Sequence, residues 1–361
     1  MKKKILVNAY FATNLGDDLF LKVLFDRYQN VEWELLTSDE SYNKIFIDYK
    51  NVKIIKSLSV KLANRRINLF YKMNDLLLKY KRYEALVIIG GSIFMENASW
   101  QEHLIKREYL PNKFKMMNKK TFIIGANFGP YNDTLFIEKY REFFSMFDDI
   151  CFRDNYSYSI FKDLDNVRFA PDVVFNLNSP IPKNKDKSVG FSIIDILKRE
   201  GLKEYYQIYN EKIIQLVEKY IEQGYKVKLF SFCEREGDLD IINYIYNNVK
   251  KNSYVEIINY ERNINKFLEK FKTCEIIVGT RFHSIILAIL FNQRVFPIIY
   301  SEKTYNVLKD LNMEDNYCYI KNIKNLDIKN EIMTTNKIID RHVLLESHKQ
   351  FKELDLLLQY H

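Results

Sequence analysis

The sequence contains few of the residues that interrupt or cross-link a chain. Its 361 residues include only 10 glycines, 6 prolines and 4 cysteines. Scarce glycine and proline argue against long disordered linkers. The cysteines lie far apart and show no CxxC spacing, so we expect reduced thiols rather than a disulfide framework or a zinc site. They are Cys151, Cys233, Cys274 and Cys318.

Several signatures of common activities are also missing. The chain has no GxGxxG dinucleotide fingerprint, no GxxxxGK(S/T) phosphate-binding loop and no GxSxG nucleophile elbow. His103, His342, His348 and His361 show no metal-ligand spacing. We therefore expect neither a metal nor a redox cofactor, and the sequence disfavours metal-dependent and serine-hydrolase chemistry.

No hydrophobic run is long enough to span a membrane, which needs about 18 apolar residues. The apolar run after the N-terminal lysines stops at Asn8, which is too short for a signal peptide. We therefore expect a cytoplasmic protein. The basic segment 61–82 predicts an amphipathic helix that could contact the inner face of the plasma membrane, although a solvated domain helix is the plainer interpretation.

The formal net charge of +8 favours anionic partners. Positive and negative residues are interspersed, and no dense Lys/Arg tract indicates nucleic acid, so we expect none to bind. A phosphorylated small molecule or an anionic membrane surface fits this balance better.

Short apolar runs alternate with helical periodicity, a pattern typical of βαβ units and parallel sheets. Length and pattern predict two α/β domains. The polar, proline-containing stretch 179–187 predicts the boundary, with domains over 1–180 and 181–361 and a C-terminal helix over roughly 338–360. Predicted strands cover 4–9, 32–37, 52–56, 85–90, 120–126, 148–152, 188–194, 226–232, 254–258, 274–278 and 295–299. Predicted helices cover 17–28, 61–81, 133–146, 156–163, 204–223, 238–250, 263–271, 281–291 and 303–311.

The segment 279–284 follows a predicted strand and opens a predicted helix. A helix N-terminus offers N–H donors and a partial positive charge to an anion. Within it, Arg281 supplies a planar fork for a carboxylate or phosphate. His283 can donate a hydrogen bond or a proton near neutral pH, or it can simply cap or pack the helix.

Two further cations follow predicted strands. Lys303 comes after the next strand, so its tip should face the same cleft as Arg281, although a lone lysine is usually solvated. Arg153 would face this cleft from the first domain, or form a turn in which Asp154 caps a helix. With His283 protonated, these cations suit a small, highly charged anion, and each charge-assisted hydrogen bond contributes roughly 1.5–3 kcal/mol.

Turns in the first half offer polar groups and bare backbone. Gly16 permits a tight turn, and Asp17 could bind a sugar hydroxyl, act as a base, or cap the following helix. The run Gly90-Gly91-Ser92 has little side chain, so a ligand could approach its backbone closely. The turn 127–131 is expected at the rim of the cleft.

Together these motifs resemble the polysaccharide pyruvyltransferase family. In chain order the matching features are Asn14-Leu15-Gly16-Asp17, Gly90-Gly91-Ser92, Phe128-Gly129-Pro130, Phe152-Arg153-Asp154, Pro171-Asp172 and Gly279-Thr280-Arg281-Phe282-His283-Ser284. Lys303 then follows His283 at a spacing that the family also shows. The chain departs from the family where Ser92 replaces a third glycine, and where Ser192-Ile193-Ile194-Asp195 occupies a region in which an arginine is common.

The resemblance implies two Rossmann-like domains facing a cleft, as in GT-B glycosyltransferases. It also implies phosphoenolpyruvate as donor, bound in the C-terminal domain with Arg153 contributed by the acceptor-side N-terminal domain. The acceptor would be a hexose of a cell-surface polysaccharide or of its lipid-linked precursor, and the product a cyclic pyruvate ketal. The implied catalytic residues are His283, Arg281, Lys303 and Asp17. The implied binding residues are these cations with Arg153, Asn14, Gly16, Gly90, Gly91, Ser92, Gly129, Thr280 and Ser284.

Two other functions fit the same sequence. A GT-B glycosyltransferase that uses a nucleotide sugar would share the fold and the cleft. A non-catalytic relative that binds an anionic glycan would share the motifs without the reaction.

Overall fold

The computed structural model describes residues 2–56, 79–328 and 340–360, together with the backbone of 59–62 and 65–68. The chain forms two compact units. The first comprises Met1–Phe11, Phe20–Leu177 and His342–His361, and the second comprises Ala12–Leu19 and Asn178–Arg341. None of the described helices has the length and apolar character needed to cross a membrane.

The described strands form two large sheets, and all strand pairs within these sheets are parallel. The strands are β1 (Lys4–Ala9), β2 (Glu32–Thr37), β3 (Val52–Lys56), β4 (Ser59–Leu62), β5 (Arg65–Asn68), β6 (Ala85–Ile89), β7 (Lys120–Ala126), β8 (Asp149–Phe152), β9 (Val167–Phe169), β10 (Asp186–Ser192), β11 (Lys226–Ser231), β12 (Val255–Asn259), β13 (Cys274–Gly279), β14 (Arg294–Ile299) and β15 (Cys318–Tyr319). The first sheet has the order β3-β2-β1-β6-β7-β8-β9 and the second β12-β11-β10-β13-β14-β15. Every residue of β6 is buried, as expected for a parallel strand covered on both faces.

Helices alternate with these strands along the chain, as the sequence predicts. The described α-helices are α1 (Leu15–Arg27), α2 (Tyr42–Ile45), α3 (Trp100–Met116), α4 (Thr134–Phe144), α5 (Asn155–Phe161), α6 (Tyr206–Glu222), α7 (Asp238–Asn248), α8 (Ile264–Phe271), α9 (Phe282–Leu290), α10 (Glu302–Asp310), α11 (Arg341–Ser347) and α12 (Lys352–Leu358). The pattern βαβ in both units is the Rossmann-like architecture expected from the sequence.

The structure of the first unit differs from the prediction at two places. The helix predicted over 61–81 is wrong in its described part, because β4 and β5 form an antiparallel pair there. The middle of that segment lies outside the described residues, and Tyr80–Arg82 forms a short 3-10 turn. Helix α3, which was not predicted, connects β6 and β7 and buries Trp100, Leu104 and Phe114 against the sheet.

The core of the first unit is rich in aromatic side chains. Phe128 lies 4.7 Å from Phe161 and 5.0 Å from Phe136 between ring centroids, and its backbone N–H donates to Ser157 Oγ at 2.8 Å. Tilted and edge-on contacts of this kind are the favourable geometry for aromatic pairs. The buried ring of Phe128 thereby anchors the turn that carries Gly129.

The C-terminal segment packs on the first unit, which corrects its predicted assignment to the second domain. The Gln350 side chain accepts from Gly125 N at 3.0 Å and donates to Ala170 O at 2.7 Å. Asp355 forms a salt bridge with Arg27 at 2.8 Å. The two Gln350 bonds satisfy backbone groups of the first unit that would otherwise be buried without partners.

The second sheet reverses its strand order between β10 and β13. From β10 the chain adds β11 and β12 on one side, and it later adds β14 and β15 beyond β13 on the other. Ser192 and Gly279 are paired at the carboxyl ends of these two central strands. Ligands of open α/β sheets bind at such a switch point, so a binding site is expected at the loops after β10 and β13.

Candidate functional site

The turn after β13 is held from below by buried hydroxyls. Ser192 Oγ accepts hydrogen bonds from the backbone N–H groups of Thr280 at 3.1 Å and Arg281 at 3.2 Å, and it bonds Ser284 Oγ at 2.5 Å. The Thr280 hydroxyl bonds the Tyr209 hydroxyl at 3.1 Å. Thr280 and Ser284 are both buried, so the structure places these two predicted binding residues as supports of the turn.

Arg281 precedes α9 and is fixed by two carboxylates. Its Nε donates to Asp238 Oδ2 at 2.9 Å, its Nη2 donates to Asp238 Oδ1, and its Nη1 donates to Glu236 Oε2 at 2.6 Å. Burial alone would lower the pKa of Arg281, but Asp238 and Glu236 outweigh it and raise the pKa well above its usual value. These bonds use three of the five N–H donors and leave a rigid, permanently charged group that is 7% exposed.

Arg199 joins this cluster, although the sequence reasoning missed it. It follows the short 3-10 turn Ile196–Lys198, and its Nη2 donates to Glu236. Its Nε is buried and has no hydrogen-bond partner among the described residues. Burial raises the pKa of Glu236, but Arg281 and Arg199 outweigh it and lower the pKa to about 2. The sequence could have indicated Arg199, because it lies a few residues after Ser192–Asp195, the region in which the family commonly has an arginine.

Tyr300 and Lys303 bring the loop after β14 into the same cluster. Both side chains are partly buried. The guanidinium carbon of Arg199 lies 5.7 Å from the centroid of the Tyr300 ring. Burial would raise the pKa of Tyr300, but Lys303, Arg199 and Arg281 together lower it. Arg281 and Lys303 therefore both act electrostatically on the same phenol.

His283 lies against the start of α1. A β-carbon added to Gly16 would lie 2.8 Å from the ring atoms Cγ and Cε1 of His283, and nearer still to Nδ1. The imidazole thus rests directly on the Gly16 backbone. Asn14 Oδ1 accepts a hydrogen bond from Gly16 N at 3.0 Å, so Asn14, and not Asp17, caps α1. Asp17 is partly buried in the first turn.

These N-terminal residues belong to the second unit. Leu15 N donates to Phe232 O at 3.0 Å, and Asn14 Nδ2 approaches Glu236 Oε1 at 3.5 Å. Asn14 and Gly16 were predicted from the first half of the sequence, and the structure groups them with His283 and with the carboxylate that binds Arg281.

Arg153 occupies a different position from the one expected. Its guanidinium is buried inside the first unit, where Nη1 donates to Asp172 Oδ2 at 3.0 Å and Nη2 to Asn127 Oδ1 at 2.7 Å. A β-carbon on Gly91 would lie 2.6 Å from Nη1. Arg153 is only 3% exposed, and Asp172 supplies the carboxylate partner that a buried arginine requires. Through these bonds Arg153 braces three loops. Asp154 has the capping role that the sequence also allowed, because its Oδ1 accepts a hydrogen bond from Ser157 N at 2.7 Å at the start of α5.

The remaining candidates of the first unit lie on the turns after β6 and β7. Ser92 Oγ donates to Asn127 Oδ1 at 3.0 Å and lies 3.4 Å from Arg153 Nη2. Gly129 adopts a φ of +90° and donates its N–H to Phe94 O at 2.8 Å. Gly90 and Gly91 are buried. Gly91, Ser92 and Asn127 thus lie directly around Arg153 within the first unit.

The cluster of the second unit can bind an anion and move protons. Arg199, Arg281 and Lys303 outnumber Glu236 and Asp238, the two carboxylates that pair with the arginines. Arg199 and Arg281 lie on short loops after parallel strands, and Lys303 lies in the first turn of α10. Such fixed charges stabilise a charged ligand without reorganising when it binds.

Comparison with solved structures identifies the fold class. A UDP-GlcNAc 2-epimerase from Methanocaldococcus jannaschii, in complex with UDP-GlcNAc and UDP, has a TM-score of 0.56 at 11% identity, with 98% of this chain and 100% of that chain covered. MurG of Acinetobacter baumannii has a TM-score of 0.51 at 9% identity, with 99% of each chain covered. At such identities the likeness shows the fold alone, which is the two-Rossmann, GT-B-like fold.

Sequence comparison then identifies the family. The profile of the family described as Polysaccharide pyruvyl transferase matches residues 14–302, and the chain therefore belongs to this family. Amylovoran biosynthesis protein AmsJ of Erwinia amylovora is 20% identical over 95% of this chain and 94% of its own length. The matched residues extend from the Asn14 turn to the start of α10, so they include the loops of the second unit described above.

Proposed function

We propose that the protein transfers the pyruvyl group of phosphoenolpyruvate to two hydroxyls of a hexose, forming a cyclic ketal and releasing phosphate. The acceptor would be a unit of a cell-surface polysaccharide or of its lipid-linked precursor. Family membership supports pyruvyl transfer to a polysaccharide. The observation that carries the choice of donor is the convergence of Arg199, Arg281 and Lys303 at the switch point of the second sheet.

Phosphoenolpyruvate suits this cluster because it is small and carries both a carboxylate and a phosphate. Arg281 is aligned by Asp238 and Glu236, and we assign it with Lys303 to these two anionic groups. Arg199 is a third cation for the same ligand, and its unpartnered buried Nε is a donor that a bound anion could satisfy.

The reaction requires protons at two places. Protonation of the methylene makes the adjacent carbon electrophilic, and the first sugar hydroxyl adds there. The second hydroxyl then forms its bond to this carbon while the bond to the bridging oxygen breaks and its electron pair leaves with phosphate. We assign His283 to protonate the leaving phosphate or the methylene, since it lies in the first turn of α9, two residues after Arg281. Asp17 is proposed as the base on the acceptor.

The roles of the first unit stay predictions. The group Gly90, Gly91, Ser92 and Gly129 is proposed to serve the acceptor. Arg153 supports that group through Asn127 and Asp172, and its predicted contact with the donor stays a prediction.

The first test is thermal unfolding of the purified protein with phosphoenolpyruvate, inorganic phosphate or UDP-GlcNAc. A ligand that binds only the folded state raises the midpoint. We expect phosphoenolpyruvate to raise it in the wild type and much less in Lys303→Ala. Lys309→Ala removes an exposed lysine from the same helix and is the matched control. Arg281→Ala is less suitable, because it leaves Asp238 buried without its partner.

Turnover is tested with a panel of p-nitrophenyl hexosides and phosphoenolpyruvate. The expected result is phosphate release together with the mass gain of a pyruvate ketal on one glycoside. A protein that responds to UDP-GlcNAc and not to phosphoenolpyruvate would instead be a nucleotide-sugar glycosyltransferase. A protein that binds phosphoenolpyruvate but releases no phosphate with any saccharide would match the non-catalytic alternative.

A further inference from the structure

The hydroxyl of Tyr300 has no hydrogen-bond partner within the described part of the chain. Its ring packs against the core of the second unit, and the side chain is only partly buried. Here the hydroxyl is left at the loop end of β14, beside the cations that we assign to the donor.

Charged groups from several elements face this phenol. The guanidinium carbon of Arg199, in the loop after β10, lies 5.7 Å from the centroid of the Tyr300 ring. Lys303 on α10 and Arg281 at the start of α9 also act electrostatically on the phenol, and Glu236 opposes these cations. Nearby positive charge stabilises the phenolate relative to the phenol, which makes the hydroxyl a stronger acid. The pKa of Tyr300 is accordingly lowered although burial acts to raise it.

We propose that Tyr300 is the acid that protonates the methylene carbon of the donor, and is thus a further catalytic residue. This inference rests on the proposed function. In the step, the phenol O–H bond breaks and its proton forms a new C–H bond at the methylene with the electron pair of the donor's carbon–carbon π bond, which breaks. The first sugar hydroxyl then bonds to the adjacent, electron-poor carbon. Asp17 takes the proton lost by that hydroxyl, and a proton from solvent returns the phenolate to phenol.

Tyr300 suits this step better than the arginines and Glu236. The arginines do not release protons, and Glu236, with a pKa of about 2, is ionised. The charge that develops on the phenol oxygen is stabilised by three cations already in place. His283 is then left for the leaving phosphate, so the two proton transfers use two different side chains.

Tyr300→Phe tests the proposal because it removes only the hydroxyl. We expect its kcat for phosphate release to fall by about 100-fold or more, the lower range for loss of a general acid, with little change in the KM for phosphoenolpyruvate. Tyr305→Phe removes a phenol from the nearby tyrosine cluster with Tyr317 and Tyr319, and should keep the wild-type rate.

The pH dependence gives a readout that a structural tyrosine would not change. An acid must be protonated, so the wild-type kcat should fall as pH rises through the pKa of Tyr300. The phenolate absorbance of wild type minus Tyr300→Phe should titrate over that same pH range, below the usual range for tyrosine.

The outcomes separate the two proposals. Tyr300→Phe that keeps the wild-type kcat, or that raises only the KM, would overturn the catalytic role while leaving the proposed function intact. A wild type that neither binds phosphoenolpyruvate nor releases phosphate would overturn the proposed function itself. An absorbance difference that titrates only in the ordinary tyrosine range would also refute the role of the three cations.

Discussion

Gly16→Ala should inactivate the protein without destabilising it. Gly16 is the second residue of α1, and its backbone carries the His283 imidazole. The added methyl group would lie 2.8 Å from Cγ and Cε1 of that ring and closer to Nδ1, well inside van der Waals contact. The ring must therefore move, and His283 is the side chain that we assign to protonate the leaving phosphate.

The expected effects on stability nearly cancel. Alanine is favoured over glycine inside a helix by up to about 1 kcal/mol. Rotating His283 away from its preferred torsion costs about 0.5–1.5 kcal/mol. The free energy of unfolding should therefore change by less than about 1 kcal/mol. Catalysis is more sensitive, because a displacement of about 1 Å in a catalytic group can lower the rate by about 100-fold.

The assay is kcat for phosphate release beside urea unfolding, in a cycle with His283→Ala. In the His283→Ala background the methyl group meets no ring, so Gly16→Ala should cause no further loss of rate. A coupling of this kind isolates the contact between the two residues. Equal losses in both backgrounds, or a wild-type rate for Gly16→Ala alone, would refute the reasoning.

Three further predictions concern stability. Glu236 has a pKa of about 2 against a usual 4.5, so its stabilisation is full above the unfolded value and is lost as pH falls toward 2. Glu236→Gln should remove up to about 2 kcal/mol of the fall in stability between about pH 6 and about pH 3, measured by urea unfolding at those two pH values. Gly91→Ala places a methyl group against the Arg153 guanidinium and should cost about 1–3 kcal/mol, whereas an unchanged thermal midpoint would contradict the contact. Gln350→Ala leaves Gly125 N buried without its partner and should cost about 1–3 kcal/mol for that group, seen as a lower urea midpoint.

The strands were the most predictable part of the fold. Strands β2 and β3 have the predicted bounds, because each is a compact apolar or alternating run. Helix α3 was missed since it carries many charged residues and contains Pro111, so its few core contacts do not form a clear periodic pattern. The segment 61–68 was predicted as helix from interspersed apolar and basic residues, but such composition also fits an antiparallel pair, and backbone pairing decides between them.

The gathering of Arg281 and Lys303 could be predicted because neighbouring parallel strands end at the same edge of a sheet. The carboxylates that orient Arg281 could not, since Glu236 and Asp238 lie far from it in sequence and follow another strand. Arg199 was missed for a related reason, because its approach depends on the shape of a loop and not on a strand end. Burial of Arg153 likewise depends on a distant carboxylate.

The glycines of the two clusters have a role that the sequence did not indicate. Bare backbone was expected to admit a ligand, but Gly16 is covered by His283 and Gly91 by Arg153. In each case the missing β-carbon lets a side chain of the same unit lie on the backbone. A loss of activity on substituting either glycine is therefore no evidence of ligand contact. It reports first on the position of the side chain above it, and only a cycle with that side chain separates the two effects.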